Sequence, residues 1–222
     1  MTPLITLPFY SAPVTARPDA PRRCEQCGRR LGIDPTNKRS LRHFCRPMLE
    51  SESFPGDGSF RYWLLRRWGD GPHALWVLAN PSTADGETDD ATITEVCRFT
   101  HEVAGCKAAV VVNLYAKRAT KPTALKGSEN LVGESDLEFT GAVENPAVII
   151  VGWGQCLVNV IGRDQFAQRV DDVEEMLAKL GDIYALGRNE PRTRSGLATP
   201  WHPLHAARQR PRPDALQRWS AS

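Results

Sequence analysis

The chain has 222 residues, of which 41% are hydrophobic, enough for one sizeable core with a small appendage. No stretch approaches the roughly 18 apolar residues of a membrane helix, and the N-terminus lacks a signal peptide's charged start and long apolar core. We therefore expect a soluble, cytoplasmic protein with no membrane partner. Six cysteines at irregular spacing do not suggest a disulfide scaffold, and three are expected in the core because apolar runs surround them. These are Cys97, Cys106 and Cys156.

Charge is unevenly distributed, although the net charge is only +2. Residues 1–46 contain nine Lys and Arg against three Asp and Glu, and residues 188–222 contain seven against two. The 141 residues between them contain twelve against twenty-one. Basic ends around an acidic middle suit a protein whose ends contact a phosphate-bearing polymer. The alternative is that the ends are only solvated tails.

The N-terminal region predicts a metal site. Residues 1–22 hold several prolines and no helical period, which indicates a flexible arm, and residues 23–50 follow as a zinc-binding module. A Cys-x-x-Cys pair on a glycine-containing turn, a spacer and a His-x-Cys pair supply four ligands for a structural zinc ion. Because so short a segment cannot fold on its own core, the metal would supply the folding energy. The candidate ligands are Cys24, Cys27, His43 and Cys45.

Two properties of this module stay open. Its second pair is spaced His-x-Cys instead of Cys-x-x-Cys, so the identity of the fourth ligand, His43, is not fixed by the pattern. Basic residues also crowd the same loop, which either contacts nucleic acid or docks on the main domain. They are Arg29, Arg30, Lys38, Arg39 and Arg42.

The main domain is predicted to start with two strands. Residues 61–68 alternate polar and apolar side chains, residues 69–72 form a Gly- and Pro-containing turn, and residues 75–79 are apolar throughout. Two strands across a short turn predict a hairpin. Pro81 ends the second strand because it has no N–H to donate to the ladder.

A βαβ unit is predicted next. An Asp-Asp pair caps a helix that ends at Gly105, and residues 108–112 form a second buried strand. Parallel pairing of the strands on either side of this helix places Asn80 and Asn113 at the same edge of the sheet. Open α/β sheets bind their ligands at this edge.

The remaining elements complete an α/β domain. Helices are predicted over 129–144 and 163–180, and strands over 147–151 and 182–186. The result is a three-layer α/β/α sandwich with a mainly parallel four-stranded central sheet.

We place this domain at residues 58–206 and expect residues 207–222 to be a basic tail with at most a short helix at 213–219.

Polar side chains collect where the predicted strands end. An amide offers one donor and one acceptor in a plane, the arrangement that pairs with the edge of a nucleobase, and a histidine can donate to a developing anion. The sequence contains no GxxxxGK loop, no dinucleotide-binding fingerprint and no Ser/His/Asp nucleophile arrangement. The candidate residues are Asn80, Ser82, Asp85, Asn113, Lys117, Arg118, Trp153, Arg188, His202 and His205.

Several motifs resemble known families. The segments Ala79-Asn-Pro-Ser82, Val-Val-Asn113-Leu and His202-Pro-Leu together resemble the strand-end motifs of the uracil-DNA glycosylase superfamily, with the second similar to its mismatch-specific uracil/thymine branch. A narrower resemblance is to domain-of-unknown-function family 1643, a family of bacterial and phage proteins with no assigned activity. The motifs that carry it are Arg61-Tyr-Trp-Leu, Asn80-Pro-Ser-Thr-Ala-Asp, Asp89-Asp-Ala-Thr and Val111-Val-Asn-Leu-Tyr-Ala.

The wider resemblance implies excision of a base from DNA, single- or double-stranded, without a covalent intermediate. Asn80 would hold the attacking water, Asn113 would pair with an extruded base, and His202 would stabilise the departing base as an anion. Independently of the resemblance, Asp85 and Asp90 are further carboxylates near the same edge, and one of them would be a general base in place of Asn80 unless both only cap local structure. The contacts to substrate would come from Ser82, Asn113, Arg118, Trp153, Arg188 and His205.

The chain departs from the superfamily pattern at Ala79, where glycine is usual, and at Ser82, where an aromatic residue or glycine is usual. These departures point to a modified base or to a free nucleotide or nucleoside. The alternative functions are therefore a non-catalytic nucleic-acid-binding protein that keeps the base pocket and the zinc finger, and a hydrolase of small nucleotides.

Overall fold

The computed structural model describes residues 44, 48–54, 58–134, 145–191 and 196–220. Within them, seven strands form one mixed sheet in the order β1-β2-β4-β3-β5-β6-β9, and two short strands, β7 and β8, form a separate pair. The strands of the large sheet are β1 Glu50–Phe54, β2 Trp63–Arg67, β3 His73–Leu78, β4 Ala108–Asn113, β5 Val148–Val151, β6 Ile183–Ala185 and β9 Gln217–Arg218. The pair is β7 Arg188–Asn189 with β8 Thr199–Pro200.

The described helices are α1 Ala91–Glu102, α2 Val158–Ile161, α3 Arg163–Ala178 and α4 Pro203–Ala206, with one 3-10 helix at Pro122–Leu125. Asp90 caps α1, because its carboxylate accepts a 2.9 Å hydrogen bond from the backbone N–H of Ile93. The long helix α3 buries Phe166, Val170 and Val173, as its apolar period predicts. No helix among the described residues is both long enough and apolar enough to cross a membrane.

The four strands β4, β3, β5 and β6 are parallel, and antiparallel strands flank them on both sides. The expected hairpin between the first two strands of the domain is wrong, since β2 pairs with β4, where Leu64 lies opposite Val111. Strand β3 is buried on both faces and has parallel neighbours on both sides, so no edge is left for β2.

Helices cover both faces of the sheet. Leu75 and Val77 of β3 face one apolar cluster, which includes side chains of α3. The alternate residues Trp76 and Leu78 face the other cluster, which includes side chains of α1 and the end of α4. The mixed α/β class and the helices on both faces agree with the prediction, whereas the sheet has seven strands instead of four.

Three further expectations differ from the structure. The short helix at 213–219 is wrong, because residues 217 and 218 form β9 along β6 and Trp219 is buried against Trp153. Cys156 is exposed, whereas Cys97 and Cys106 are buried as expected. In the helix expected at 129–144, residues 129–134 form bends and irregular chain, and positions 135–144 lie outside the described residues.

Candidate nucleobase site

Asparagine residues lie at or just after the ends of two neighbouring strands at the carboxyl edge of the sheet. Asn113 is the last residue of β4 and pairs with Leu78, the last residue of β3. Asn80 follows β3 by two residues, and the backbone N–H of Leu114 donates to Leu78 at 2.8 Å. The edge is continued by Gly152–Gly154 after β5, against which His202 lies. The parallel pairing predicted for the two asparagine-bearing strands is confirmed.

Asn113 is the most unusual residue at this edge. Its side chain is only 3% exposed, and neither its Oδ1 nor its Nδ2 has a hydrogen-bond partner among the described residues. It continues the alternation of Ala109 and Val111 and so faces the side of the sheet that α1 covers. A buried amide without partners costs about 1–3 kcal/mol, which is recovered when a ligand supplies a donor and an acceptor.

Asn80 is held by the backbone around it. Its Nδ2 donates to the carbonyl of Pro81 at 2.9 Å and to the carbonyl of Ala119 at 2.8 Å. The N–H of Ala119 donates in return to Pro81 at 2.9 Å. Both amide hydrogens are therefore used within the chain, and Oδ1 is left as the acceptor that a water molecule or a ligand can use.

His202 is the N-cap of α4 and is fixed in one tautomer. Its Nδ1 accepts a 3.3 Å hydrogen bond from the backbone N–H of Leu204. In the neutral ring the proton is then on Nε2, which can donate it to a ligand. Burial, with smaller contributions from His205 and Arg208, lowers the pKa of His202 to about 4. The ring is thus a neutral hydrogen-bond donor at physiological pH.

Glycines let the His202 segment approach the strand ends. Gly154 has a φ of +65°, and a Cβ there would lie 3.1 Å from the Cβ of His202. A Cβ on Gly187 would lie 2.3 Å from the ring of Trp201, so this position also requires glycine. The N–H of Gly154 donates to Pro200 at 3.1 Å, which fixes the two segments side by side.

Asp85 organises the loop that connects β3 to α1. Its Oδ1 accepts hydrogen bonds from the backbone N–H groups of Glu87 at 2.9 Å and Thr88 at 2.7 Å. Partial burial raises the pKa of Asp85, but these two bonds, together with Arg118 and Arg66, outweigh burial and lower it. This geometry favours the capping alternative over a role as general base.

Arg66 and Asp89 form a buried ion pair beneath the same loop. The Nε of Arg66 lies 2.8 Å from Asp89 Oδ1, and the side chains are 0% and 7% exposed. The Nη2 of Arg66 also donates to the carbonyls of Asp85 and Thr88. The loop that follows Asn80 is therefore fixed from below by an arginine of β2.

Ser82 and Arg118 lie beside Asn80, on the loop and on the chain after β4. The Nη1 of Arg118 donates to the carbonyl of Ser82 at 3.4 Å, and its buried Nε has no partner in the described part of the chain. Lys117 is partly exposed and forms an isolated bridge with Phe60.

The other three substrate-contact candidates have different environments. Trp153 is 1% exposed and packs edge-on against Trp219, so it is a core residue without a face for a base. Arg188 lies over the ring of Trp219 at 4.7 Å and donates to the carbonyl of Ser220. His205 is exposed beside Trp201, with ring centroids 5.3 Å apart.

A cavity of about 390 Å³ lies on the opposite side of the sheet from the Asn113 side chain. Its lining includes Tyr115, Leu131 and Arg169, and does not include Asn80, Asn113 or His202. Burial raises the pKa of Tyr115 to about 12, so its hydroxyl stays protonated.

The four predicted zinc ligands, Cys24, Cys27, His43 and Cys45, lie outside the described residues. Among the residues that are described, no group of three or more His, Cys, Asp or Glu side chains could hold a metal ion.

Sequence reasoning missed two arginines of this site. Arg61 and Arg66 belong to a segment that alternates polar and apolar residues, a pattern that assigns charged side chains to solvent. Both are buried, at 2% and 0% exposure. The one sequence signal was the place of Arg61 inside the Arg-Tyr-Trp-Leu motif, to which no role was assigned, and Arg66 lies two residues beyond that motif.

The fold is that of a mixed α/β protein with polar side chains gathered at the carboxyl ends of its parallel strands. The chain belongs to the family described as Protein of unknown function (DUF1643), whose model matches residues 61–204. No curated protein and no solved structure matches the chain. The narrower resemblance predicted from the sequence is thereby confirmed.

Proposed function

We propose that the protein hydrolyses the N-glycosidic bond of a natural or modified base in DNA. The observation that carries this proposal is Asn113, a buried amide whose donor and acceptor have no partner among the described residues. Such an amide matches the edge of a nucleobase, which presents a donor and an acceptor side by side. The resemblance to the uracil-DNA glycosylase superfamily supports the same assignment.

In this proposal three residues share the reaction. The Oδ1 of Asn80 accepts a hydrogen bond from the attacking water and positions it at the anomeric carbon. The water oxygen bonds to the anomeric carbon as the bond from that carbon to the base breaks, and His202, neutral and protonated on Nε2, donates a hydrogen bond to the negative charge that develops on the base. The proton that the water loses neutralises the released base. Asn113 holds the extruded base in place. A preorganised donor to developing charge is worth about 10²–10³ in rate.

The charges beside the site support DNA as the carrier of the base. Residues 114–128 contain four basic residues and no acidic one, and they follow β4 directly. Three are at least partly exposed at the start of this stretch, where a phosphate backbone would run past the strand ends. They are Lys117, Arg118 and Lys121.

The test is a search for base release. Oligonucleotides with natural and modified bases are incubated with the protein and treated with alkali, which cleaves the strand at abasic sites. We expect one class of base to be released, and the rate to fall by about 10²–10³ in Asn80→Ala and in His202→Ala. Asn159→Ala and His73→Gln are matched controls, since Asn159 is exposed and His73 lies at the start of β3, the opposite end of the sheet.

Two results would reject the enzyme. Release of no base from the full panel would do so, as would equal rates in Asn80→Ala and wild type. If DNA still binds with a strong salt dependence and Asn113→Leu abolishes the preference for one base, the non-catalytic binding protein is the correct alternative.

We also propose that the N-terminal segment binds a structural zinc ion through Cys24, Cys27, His43 and Cys45. Two thiolates, an imidazole and a third thiolate are a donor set that zinc prefers in tetrahedral sites. The ion would have no part in the reaction. It would stabilise the segment as a second contact to nucleic acid.

A further inference from the structure

Arg61 and Arg118 lie on paired segments, the second of which follows β4 and Asn113, and neither forms a salt bridge within the described residues. The N–H of Arg61 donates to the carbonyl of Ala116 at 2.9 Å, and the N–H of Arg118 donates to that of Ser59 at 2.8 Å. Antiparallel pairing in this register brings the side chains of Arg61 and Arg118 to one face as diagonal neighbours. Both guanidinium groups lie in the same small region after the end of β4.

Both guanidinium groups are bound to the same short stretch of backbone. The Nη1 of Arg61 donates to the carbonyl of Ala84 at 2.9 Å, and that of Arg118 donates to the carbonyl of Ser82 at 3.4 Å. Each also has a buried Nε–H without a partner among the described residues. Arg61 as a whole is only 2% exposed. The buried Nε–H groups of Arg61 and Arg118 are therefore two hydrogen-bond donors without an acceptor among the described residues.

The nearby carboxylates of Asp85 and Asp90 accept hydrogen bonds from backbone N–H groups and form no ion pair with either arginine in the described residues. Asp85 accepts from Glu87 and Thr88, and Asp90 accepts from Ile93 at the start of α1. Neither Arg61 nor Arg118 forms a salt bridge in the described residues. Burial chiefly, and then nearby charge of both signs, lowers the pKa of Arg61 to about 10, so it remains a cation at neutral pH. Burying two like charges together is unfavourable unless an anion joins them.

We propose that Arg61 and Arg118 form a phosphate-binding subsite next to Asn113, with the two Nε–H groups as its donors. The planar guanidinium groups of arginine match the oxygens of a phosphate, and charge-assisted bonds of this kind are the strong ones. The phosphate belongs to a nucleotide unit next to the base that Asn113 binds. The assignment of this phosphate to a nucleotide rests on the proposed function, whereas the binding of a phosphate by the two arginines does not.

The subsite also gives the loop of residues 81–90 a role. Because the arginines bond the carbonyls of Ser82 and Ala84, a bound phosphate would fix this loop relative to the chain after β4. The same loop begins directly after Asn80. Binding of the phosphate and positioning of the water would thus be coupled through a few backbone bonds.

The experiment compares inorganic phosphate with chloride at matched ionic strength on the full-length protein. Thermal unfolding and calorimetric titration report binding, and a nucleoside 5′-monophosphate is compared with its nucleoside in a second arm. We expect phosphate to stabilise the wild type, and its affinity to fall about tenfold or more in Arg118→Gln. Lys179→Gln, which removes one exposed charge directly after α3, outside the proposed site, should bind phosphate as the wild type does.

The Arg118→Gln variant should fold, because it leaves the hydrogen bond from Arg61 to the carbonyl of Ala84 in place. The Arg118→Lys variant keeps the positive charge and so tests whether the planar guanidinium group is required. The absence of any stabilisation by phosphate, or equal affinity in wild type and Arg118→Gln, would overturn the subsite. Asn113→Leu separates the two proposals, since it should lose base binding and keep phosphate binding. If no base is released while phosphate binds as expected, only the proposed function fails.

Discussion

We expect the Asn113 side chain to lower the stability of the fold and to be required for binding a base. Its amide is buried at the end of β4 with no partner for either polar atom in the described residues. A leucine of similar shape would remove this cost and fill the same space. We therefore expect Asn113→Leu to raise the free energy of unfolding by about 1–3 kcal/mol in urea denaturation, while base release is lost.

Thr100→Val is the matched control for this substitution. Thr100 is also buried, but its hydroxyl accepts a 2.7 Å hydrogen bond from the indole N–H of Trp76. Valine would leave that indole N–H unpaired and should destabilise the fold by about 1–3 kcal/mol. If Asn113→Leu is destabilising by the same amount, the Asn113 amide is a structural group and the site is wrongly placed.

His202 should make stability depend on pH in a defined window. Its pKa is about 4 in the folded protein and about 6.5 in the unfolded chain, so between these values the unfolded state binds more protons. Stability from this group is therefore complete above about pH 6.5, falls as the pH drops towards 4, and changes no further below that. Denaturation across this range should show a smaller decrease in His202→Gln.

His205→Gln serves as the control, because that ring is exposed. Burial and Arg67 also lower the pKa of His73, so a residual decrease in the same direction is expected in His202→Gln. A profile identical to that of the wild type would mean that His202 is not held in its neutral form. The same logic predicts that activity does not need acid and is retained above neutral pH.

At the scale of elements, the loop between β3 and α1 depends on one buried ion pair. Asp89→Asn would leave Arg66 without its carboxylate in a fully buried position. We expect this change to lower the free energy of unfolding by about 3–5 kcal/mol, measured in urea. Base release should also fall, because the loop begins at Asn80.

Asp182→Asn provides the comparison, since Asp182 pairs with Arg218 at 2.6 Å on the surface, where the side chains are 52% and 74% exposed. An exposed pair contributes little, so this variant should unfold as the wild type does. If both variants lose the same free energy of unfolding, the buried pair of Arg66 and Asp89 does not hold the loop in position.

The elements themselves were predictable where the sequence has a strong period or an uninterrupted apolar run. Strands β3 and β4 and helix α3 fall where they were expected, since each buries long apolar stretches. The two-residue strand β9 has no period to detect, and its position depends on Trp219 packing against Trp153. The pairing of β2 with β4 is a long-range choice that the short turn after β2 does not reveal.

The positions of the two asparagines could also be predicted from the sequence. Each follows an apolar run that predicts a buried strand, and parallel pairing of adjacent strands places Asn113 beside the segment of Asn80. The position of His202 against Gly154 depends on close contacts between segments almost fifty residues apart. The burial of Arg61 and Trp153 could not be inferred either, since it depends on the loop and the C-terminal strand that cover them.

For the whole molecule, zinc content tests the proposed N-terminal site. We expect about one zinc ion per purified chain, because four thiolate and imidazole ligands complete a tetrahedral site. Cys24→Ser should lower the metal content, while Cys156→Ser, which changes an exposed cysteine outside the proposed set, should not. Wild-type protein without bound zinc, measured by elemental analysis, would contradict the site.

The most direct measurement is the side-chain amide resonance of Asn113 in a ¹⁵N-labelled sample titrated with free natural and modified nucleobases. If the Asn113 amide binds a base, one base of the panel should shift the resonances of the Asn113 Nδ2 protons downfield, because a hydrogen bond forms. The Asn113→Leu variant should have a lower affinity for that base. The account would be contradicted if no base shifts this resonance. It would also be contradicted if the amide is hydrogen-bonded to another part of the chain before any base is added.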